Sequence, residues 1–307
     1  MFDKILLVPA SDEPGQPGLR RLLALARTGA EIHIFRPVYE PLLEGYRSHH
    51  TELYETLRRS LVDERRAAAE RIAAECRARG FETSVSAVWD RAYDQAITRE
   101  ALERQSDLVV AEPQRGRSAG LTQQDWRLFS TCPAPVLVIK SDAKAPYRHI
   151  VAAVDPMHEH AKPRDLDAAV VAVAKAIREP TGATLSVLHC YTPLAELPIA
   201  SAEYVPLEDA ERALEQARRD AVTELVEGAG LEADAAILVA GKPRAVLQAM
   251  TERGEADLVV MGALARGRLG ELLIGSTAER LLERSSADVL IVKPPALKLA
   301  IGAVPAH

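Results

Sequence analysis

The chain has 307 residues, 48% of them hydrophobic and 27% charged, with a net charge of −6 and a pI near 5.8. That length suits two domains of about 150 residues each, and the acidic balance argues against nucleic acid as a partner, because neutralising phosphates takes a basic footprint. Cys76, Cys132 and Cys190 are widely spaced and form no Cys-x-x-Cys, so neither a disulfide framework nor a zinc site is indicated and a reducing compartment fits.

Lys4-Ile5-Leu6-Leu7-Val8 reads as a first strand, its apolar run being too short for a signal peptide. Leu53, Leu57, Leu61, Ala68 and Ile72 recur at helical spacing. Ser106–Val110 and Pro135–Lys140 carry short apolar, β-branched runs, as strands buried on both faces do. Ser141–Pro146 is polar, contains proline and lacks apolar periodicity, which makes it the expected boundary. The same pattern then starts again. His149–Ala153 answers Lys4–Val8, Ala256–Val260 answers Ser106–Val110, and Asp288–Lys293 answers Pro135–Lys140, a repeat of about 150 residues. Leu214, Ala217, Ala221 and Leu225 mark a helix of this second copy. Strands alternating with helices predict right-handed βαβ units, hence two tandem doubly wound α/β domains with five-stranded parallel sheets. No stretch approaches a membrane span, since even Ala168–Ala174 stops at Lys175. A cytoplasmic protein is expected, without membrane or nucleic-acid partners.

The segment Met261–Thr277 is the most informative. It follows the apolar run Leu258–Val260 and contains Gly262, Gly267, Gly270 and Gly275 before the helical pattern Thr277–Leu282. A strand, a glycine-rich loop and a helix N-terminus can cradle phosphate, because unpaired N–H groups and the helix dipole attract anions. Ligands of such sheets bind beyond the carboxyl ends of the strands, where Asp155 and Gly262 both fall. Simpler roles remain open: Ser276-x-x-Glu279 is a capping box, Asp155 suits a loop brace before Pro156, and Gly262 and Gly275 suit tight turns.

The loop resembles the Gly-x2-Gly-x9-Gly-Ser/Thr loop of the universal stress protein family. Gly262 stands at its first glycine, Gly275-Ser276 at its last pair, and Ala265 where the second glycine would be. Thr122–Leu128 with Cys132–Val136, and Val88–Tyr93, are similar to the first domain of the tandem, E-type members. The resemblance covers nearly all of residues 1–295. It implies an adenine-nucleotide α-hydrolase-like fold, with domains at 1–141 and 147–295 and a tail at 296–307. It also implies a non-catalytic stress-response role and an adenine nucleotide, ATP or AMP, held in the C-terminal domain. The contacts it implies are Asp155 at the adenosine end, Met261 and Gly262 at the loop entrance, Ala265 and Arg266 within the loop, and Gly275, Ser276 and Thr277 at the phosphate turn. Glycine at Ala265 would permit positive φ and close approach, and alanine would cost roughly 1 kcal/mol if a left-handed backbone were required.

The first copy departs further. Ala10 replaces Asp155, Glu112 replaces Gly262, Thr122-Gln123 replaces Gly275-Ser276, and the interval is shorter. No nucleotide is expected there. Metal is not expected either, magnesium entering only with ATP. His158-x-His160 sits in a predicted loop without a second ligand pair. No Gly-x-Ser-x-Gly, Walker lysine or Ser-His-Asp signature occurs, so no nucleophile and base are placed together by the sequence. Two alternatives stand beside nucleotide holding: slow ATP hydrolysis or adenylyl transfer at the same crevice, and binding of a more apolar ligand through Ala263, Leu264 and Ala265. The resemblance further implies pairing through last strands, giving an internal pseudo-dimer and leaving homodimerisation open.

Overall fold

The computed structural model describes residues 2–13, 15–47, 50–113, 121–140, 146–157, 165–196, 207–265, 272–273 and 276–294. The chain divides into two compact units between Pro146 and Tyr147.

The first unit runs β1 (Lys4–Val8), α1 (Pro17–Leu25), β2 (Glu31–Val38), α2 (Pro41–Glu44), α3 (Thr51–Ala78), β3 (Glu82–Trp89), α4 (Tyr93–Glu103), β4 (Leu108–Ala111), α5 (Gln123–Thr131) and β5 (Val136–Val138). Its sheet is parallel in the order β3-β2-β1-β4-β5. The second unit runs β6 (His149–Val154), α6 (Leu166–Thr181), β7 (Thr184–Tyr191), α7 (Leu207–Gly228), β8 (Ala236–Ala240), α8 (Pro243–Glu252), β9 (Leu258–Gly262), β10 (Leu264–Ala265), β11 (Leu272–Leu273), α9 (Ser276–Arg284) and β12 (Asp288–Val292). Its parallel sheet has the matching order β8-β7-β6-β9-β12. Both are the doubly wound five-stranded sheets expected from the repeat.

The continuous apolar runs are explained by burial on both faces: β4 and β12 have no exposed residue. The duplicated Asp-Leu-Val-Val motif does the same work twice. Asp107 Oδ2 accepts hydrogen bonds from the Asp3 and Lys4 amides at 3.1 and 3.2 Å, ahead of β1. Asp257 Oδ2 accepts from the Arg148 and His149 amides at 2.7 and 3.0 Å, ahead of β6.

Two helical stripes differ from the sequence reading. In α3 the buried residues are Tyr54, Ala68, Ala69, Ile72, Ala73 and Cys76, whereas Leu53 and Leu57 are 50% and 40% exposed. A helix of 28 residues is about 42 Å long, while the eight-residue strands beneath it span only about 26 Å. The first turns therefore meet only the strand ends, where Tyr54 packs edge-on to Trp89 of β3 while Leu53 and Leu57 face outward. In α7 the buried side chains are Arg218, Val222 and Val226, one position on from the expected Leu214, Ala217, Ala221 and Leu225. Arg218 earns its inward place by stacking 4.5 Å over the Tyr191 ring and meeting Glu211 at 3.3 Å.

Candidate functional site

In each sheet the strand order reverses at its centre, between β1 and β4 and between β6 and β9. Ligand crevices of open α/β sheets form at such switch points, beyond the carboxyl ends of the strands.

In the second unit Ala153 pairs with Met261 across β6 and β9, so Asp155 and Gly262 leave adjacent strands at the same end. The Asp155 amide donates to Asp167 Oδ1 on α6 at 3.0 Å. His189, 1% exposed, stands beside Val154 in the β6–β7 register, with Nδ1 3.3 Å from the Val154 carbonyl. Its buried Nε2 has no hydrogen-bond partner among the described residues.

Gly262 has a packing reason to be glycine. A Cβ there would lie 2.5 Å from Leu166 Cδ2 and 2.7 Å from its Cγ, at the first turn of α6. Its φ is not positive, unlike that of Gly182 or Gly230; close approach and not backbone handedness selects the residue. Met261 is buried at 7% exposure, and Ala263 donates its amide to the Val292 carbonyl at 2.9 Å. Ala265 lies in β10, where it pairs antiparallel with Leu272 of β11, while Leu264 pairs with Leu273. That extended pairing asks no left-handed backbone of alanine, so the expected strain at this position does not arise. Ser276 and Thr277 open α9. Arg266 and Gly275, and with them most of the proposed phosphate loop, lie outside the described residues, as do His158 and His160.

The first unit holds a cleft of about 1210 Å³ at its own strand tips. Its anion-attracting parts are occupied from within. Glu112, which follows β4, accepts the Gly18 amide at 2.8 Å in the first turn of α1, taking the place of an external anion at that helix start. Burial raises the Glu112 pKa, opposed by the Gly18 and Ala10 amides and by Arg20 and Arg36. Asp12 bridges two cationic side chains, meeting Arg36 at 2.7 Å and also contacting Arg65. At the head of α5, Thr122 and Asp125 form a reciprocal capping box, which answers the amides a phosphate turn would offer. Tyr93 donates to the same Asp125, and burial with that carboxylate pushes the Tyr93 phenol up.

Glu112 and Gly262 occupy equivalent positions, and so do the helix starts they face. A Cβ on Gly18 would meet Glu112 Oε1 at 2.6 Å, as one on Gly262 would meet Leu166. The small residue lies on the helix in one unit and on the strand tip in the other. The sequence shows each glycine but not the exchange, which appears only once helix and strand are seen in contact.

At the opposite end of the first sheet, near the strand starts, His33, Ser84, Ser86 and Glu100 form a polar cluster beside a smaller cleft of about 240 Å³. Sequence reasoning missed it, because its members come from β2, β3 and α4. Among the described residues no group of three or more His, Cys, Asp or Glu is placed to hold a metal ion, and no helix is long and apolar enough to cross a membrane.

Comparison with known proteins agrees with the duplicated architecture. The universal stress protein family model matches residues 1–140 and again 146–293. Universal stress protein E of Photorhabdus laumondii is 25% identical, the match covering 98% of both chains. Universal stress protein E of Escherichia coli K12 is 25% identical over 96% of this chain and 95% of its own. A crystal structure of a protein of unknown function from Pseudomonas aeruginosa PAO1 has the same fold, with a TM-score of 0.73, 23% identity and coverage of 98% of this chain and 96% of that one. With two matched domains filling nearly all of its length, the chain belongs to the universal stress protein family, in its tandem, E-type form.

Proposed function

We propose that this stress-response protein holds an adenine nucleotide, ATP or AMP, in its second domain and is non-catalytic at that crevice. The observation that carries the reading is the convergence of Asp155 and the end of β9 at the switch point of the second sheet. The start of α9 at Ser276, just after Gly275, adds a helix N-terminus suited to phosphate. Ala265, in extended pairing, is compatible with a loop that still reaches a ligand. Arg266, Gly275, Ser276 and Thr277 are the proposed phosphate contacts, Met261 and Gly262 shape the entrance, and Asp155 faces the adenosine end. Magnesium enters only with ATP. The first domain, whose helix starts and arginines are answered by Glu112, Asp125 and Asp12, takes no nucleotide. The domains proposed at 1–141 and 147–295, in a cytoplasmic protein, go with this division of labour.

A dissociation constant near 1 μM requires about 8 kcal/mol, within reach of several phosphate contacts and a buried adenine. Gly275→Asp sets a carboxylate against the phosphates, and isothermal titration with ATP and with AMP should show binding lost. Unchanged affinity in the variant refutes the assigned loop. Mass spectrometry of what the denatured protein releases distinguishes a nucleotide from a more apolar ligand.

A further inference from the structure

The small cleft at the amino end of the first sheet is separate from the strand-tip crevices and is lined by Ser84, His33 and Arg104 together with Lys4, Glu31 and Glu82. His33 and Ser84 are paired residues of β2 and β3, so their side chains share one face of the sheet. Ser84 is exposed, on the edge strand, and its Oγ lies 2.7 Å from His33 Nδ1. His33 is only 5% exposed. Its Nε2 lies 2.8 Å from Glu100 Oε1 on α4 and 2.8 Å from Ser86 Oγ. Ser86 in turn donates to Glu100 Oε1 at 3.2 Å, and Arg104 donates to the same oxygen at 3.2 Å.

The chemistry of the donors fixes the tautomer. An ionised carboxylate only accepts, so Nε2 carries the imidazole proton toward Glu100, and Nδ1 is left as the acceptor for the Ser84 hydroxyl. Hydroxyl, imidazole and carboxylate stand in series at hydrogen-bond distance, the arrangement that activates a serine nucleophile. We propose that Ser84, His33 and Glu100 form a nucleophilic relay that cleaves short acyl esters in this cleft, an activity independent of nucleotide binding.

Ser84 Oγ attacks the ester carbonyl carbon as its proton passes to His33 Nδ1. The bond to the alcohol oxygen breaks and His33 returns the proton to that oxygen, leaving an acyl-Ser84 ester. Water, deprotonated by His33, attacks the acyl group, and the proton then restores the serine hydroxyl as the carboxylic acid departs. Glu100 is a positioning residue that orients the ring and balances the imidazolium. Arg104, which also lines the cleft, adds positive charge to it. The cleft, of about 240 Å³, has room for a short acyl group.

The base is neutral when it is needed. Burial and the Arg104 charge lower the His33 pKa below 6.5, with Glu100 acting in the opposite direction; Lys4, Glu31 and Glu82 are the other charges along this cleft.

The test uses the full chain with a fluorophosphonate probe and with p-nitrophenyl acetate. Ser84 should be phosphonylated with loss of fluoride, as located by peptide mass spectrometry, at a rate far above that of the same chain in urea. A general base contributes about 100-fold or more, so His33→Gln should slow labelling by that factor, and Ser84→Ala should abolish both labelling and ester turnover above the solvent background. The rate should rise with pH through a midpoint below 6.5, and Glu100→Gln should move that midpoint lower still, because the carboxylate that raises the His33 pKa is gone; a midpoint that stays put removes His33 as the base. Labelling of Ser84 no faster than in urea, or turnover equal in wild type and Ser84→Ala, overturns the relay. Should His33→Gln fail to fold, the exposed Ser84→Ala variant decides alone.

Discussion

Gly262→Ala puts a methyl 2.5 and 2.7 Å from Cδ2 and Cγ of Leu166, closer than carbon atoms tolerate, and 3.1 Å from its Cδ1, a tight contact. Leu166 is 1% exposed at the first turn of α6, so it has no route into solvent that keeps it in the core. Overpacking of this kind costs about 1–3 kcal/mol; with two carbons obstructed, about 2 kcal/mol is expected here. In a domain of roughly 150 residues that lowers Tm by about 4–8 °C. Leu166→Ala alone should cost about 2–5 kcal/mol through the cavity it leaves. It also removes every atom the new methyl strikes, so Gly262→Ala should add nothing in that background, a coupling of about 2 kcal/mol. Thermal and urea unfolding of the four chains, followed by circular dichroism, measures the cycle. An unchanged Tm in Gly262→Ala, or two losses that simply sum, refutes the packing account of this glycine.

Glu112→Gln keeps an acceptor for the Gly18 amide and removes the charge. Burial raises the folded-state pKa of Glu112 above its ordinary 4.5, so the folded chain binds the proton more tightly. The stability this gives is complete below the unfolded value and is lost as pH rises through the raised one. Urea unfolding from pH 4 to 8 should therefore show the variant gaining on the wild type across that window; a difference independent of pH removes Glu112 as its source. Burial also pushes the Cys76 thiol up to about 11 and the Cys190 thiol up to about 12, which leaves roughly one thiolate in a thousand or fewer at pH 8. Ellman's reagent should find these two cysteines silent in the native chain and reactive in urea, and fast labelling without urea would contradict their burial.

The strands were legible because both faces of each central strand are covered, which turns a strand into an unbroken apolar word such as Leu108-Val109-Val110. Repetition of that word after Asp107 and Asp257 exposed the duplication, and the two aspartates prove to brace the same strand starts. Helix faces were less legible. Leu53 and Leu57 fit the periodicity of α3 but are exposed, the inward place in that turn going to Tyr54 against Trp89, and in α7 an arginine takes an inward position because Tyr191 and Glu211 receive it. Amphipathic spacing registers polarity and not what a neighbouring element offers. At the crevice the sequence singled out Asp155 and Gly262, which do leave adjacent strands together. It could not say that Gly262 answers Leu166, or that Ala265 would find extended pairing with Leu272. The cluster of His33, Ser84 and Glu100 was illegible for a stricter reason: strand register and helix packing, not spacing along the chain, bring those three together.

The exchange between Gly18 with Glu112 and Leu166 with Gly262 explains why the two strand tips are not interchangeable by single substitutions. Each helix start faces one strand tip, and the space between them admits one large side chain. Placing glycine at Glu112 alone would empty that space and strip the Gly18 amide of its acceptor, leaving a cavity beside an unpaired donor. Placing glutamate at Gly262 alone would drive a carboxylate into Leu166. Only the paired change, large for small on both elements, passes from one packing to the other without a void or a clash. A charged acceptor sealed over the helix start and an apolar contact that keeps the strand tip slender are therefore alternative solutions to one steric condition. The first uses up the Gly18 amide, and the second leaves the end of β9 without a side chain because Leu166 fills that space.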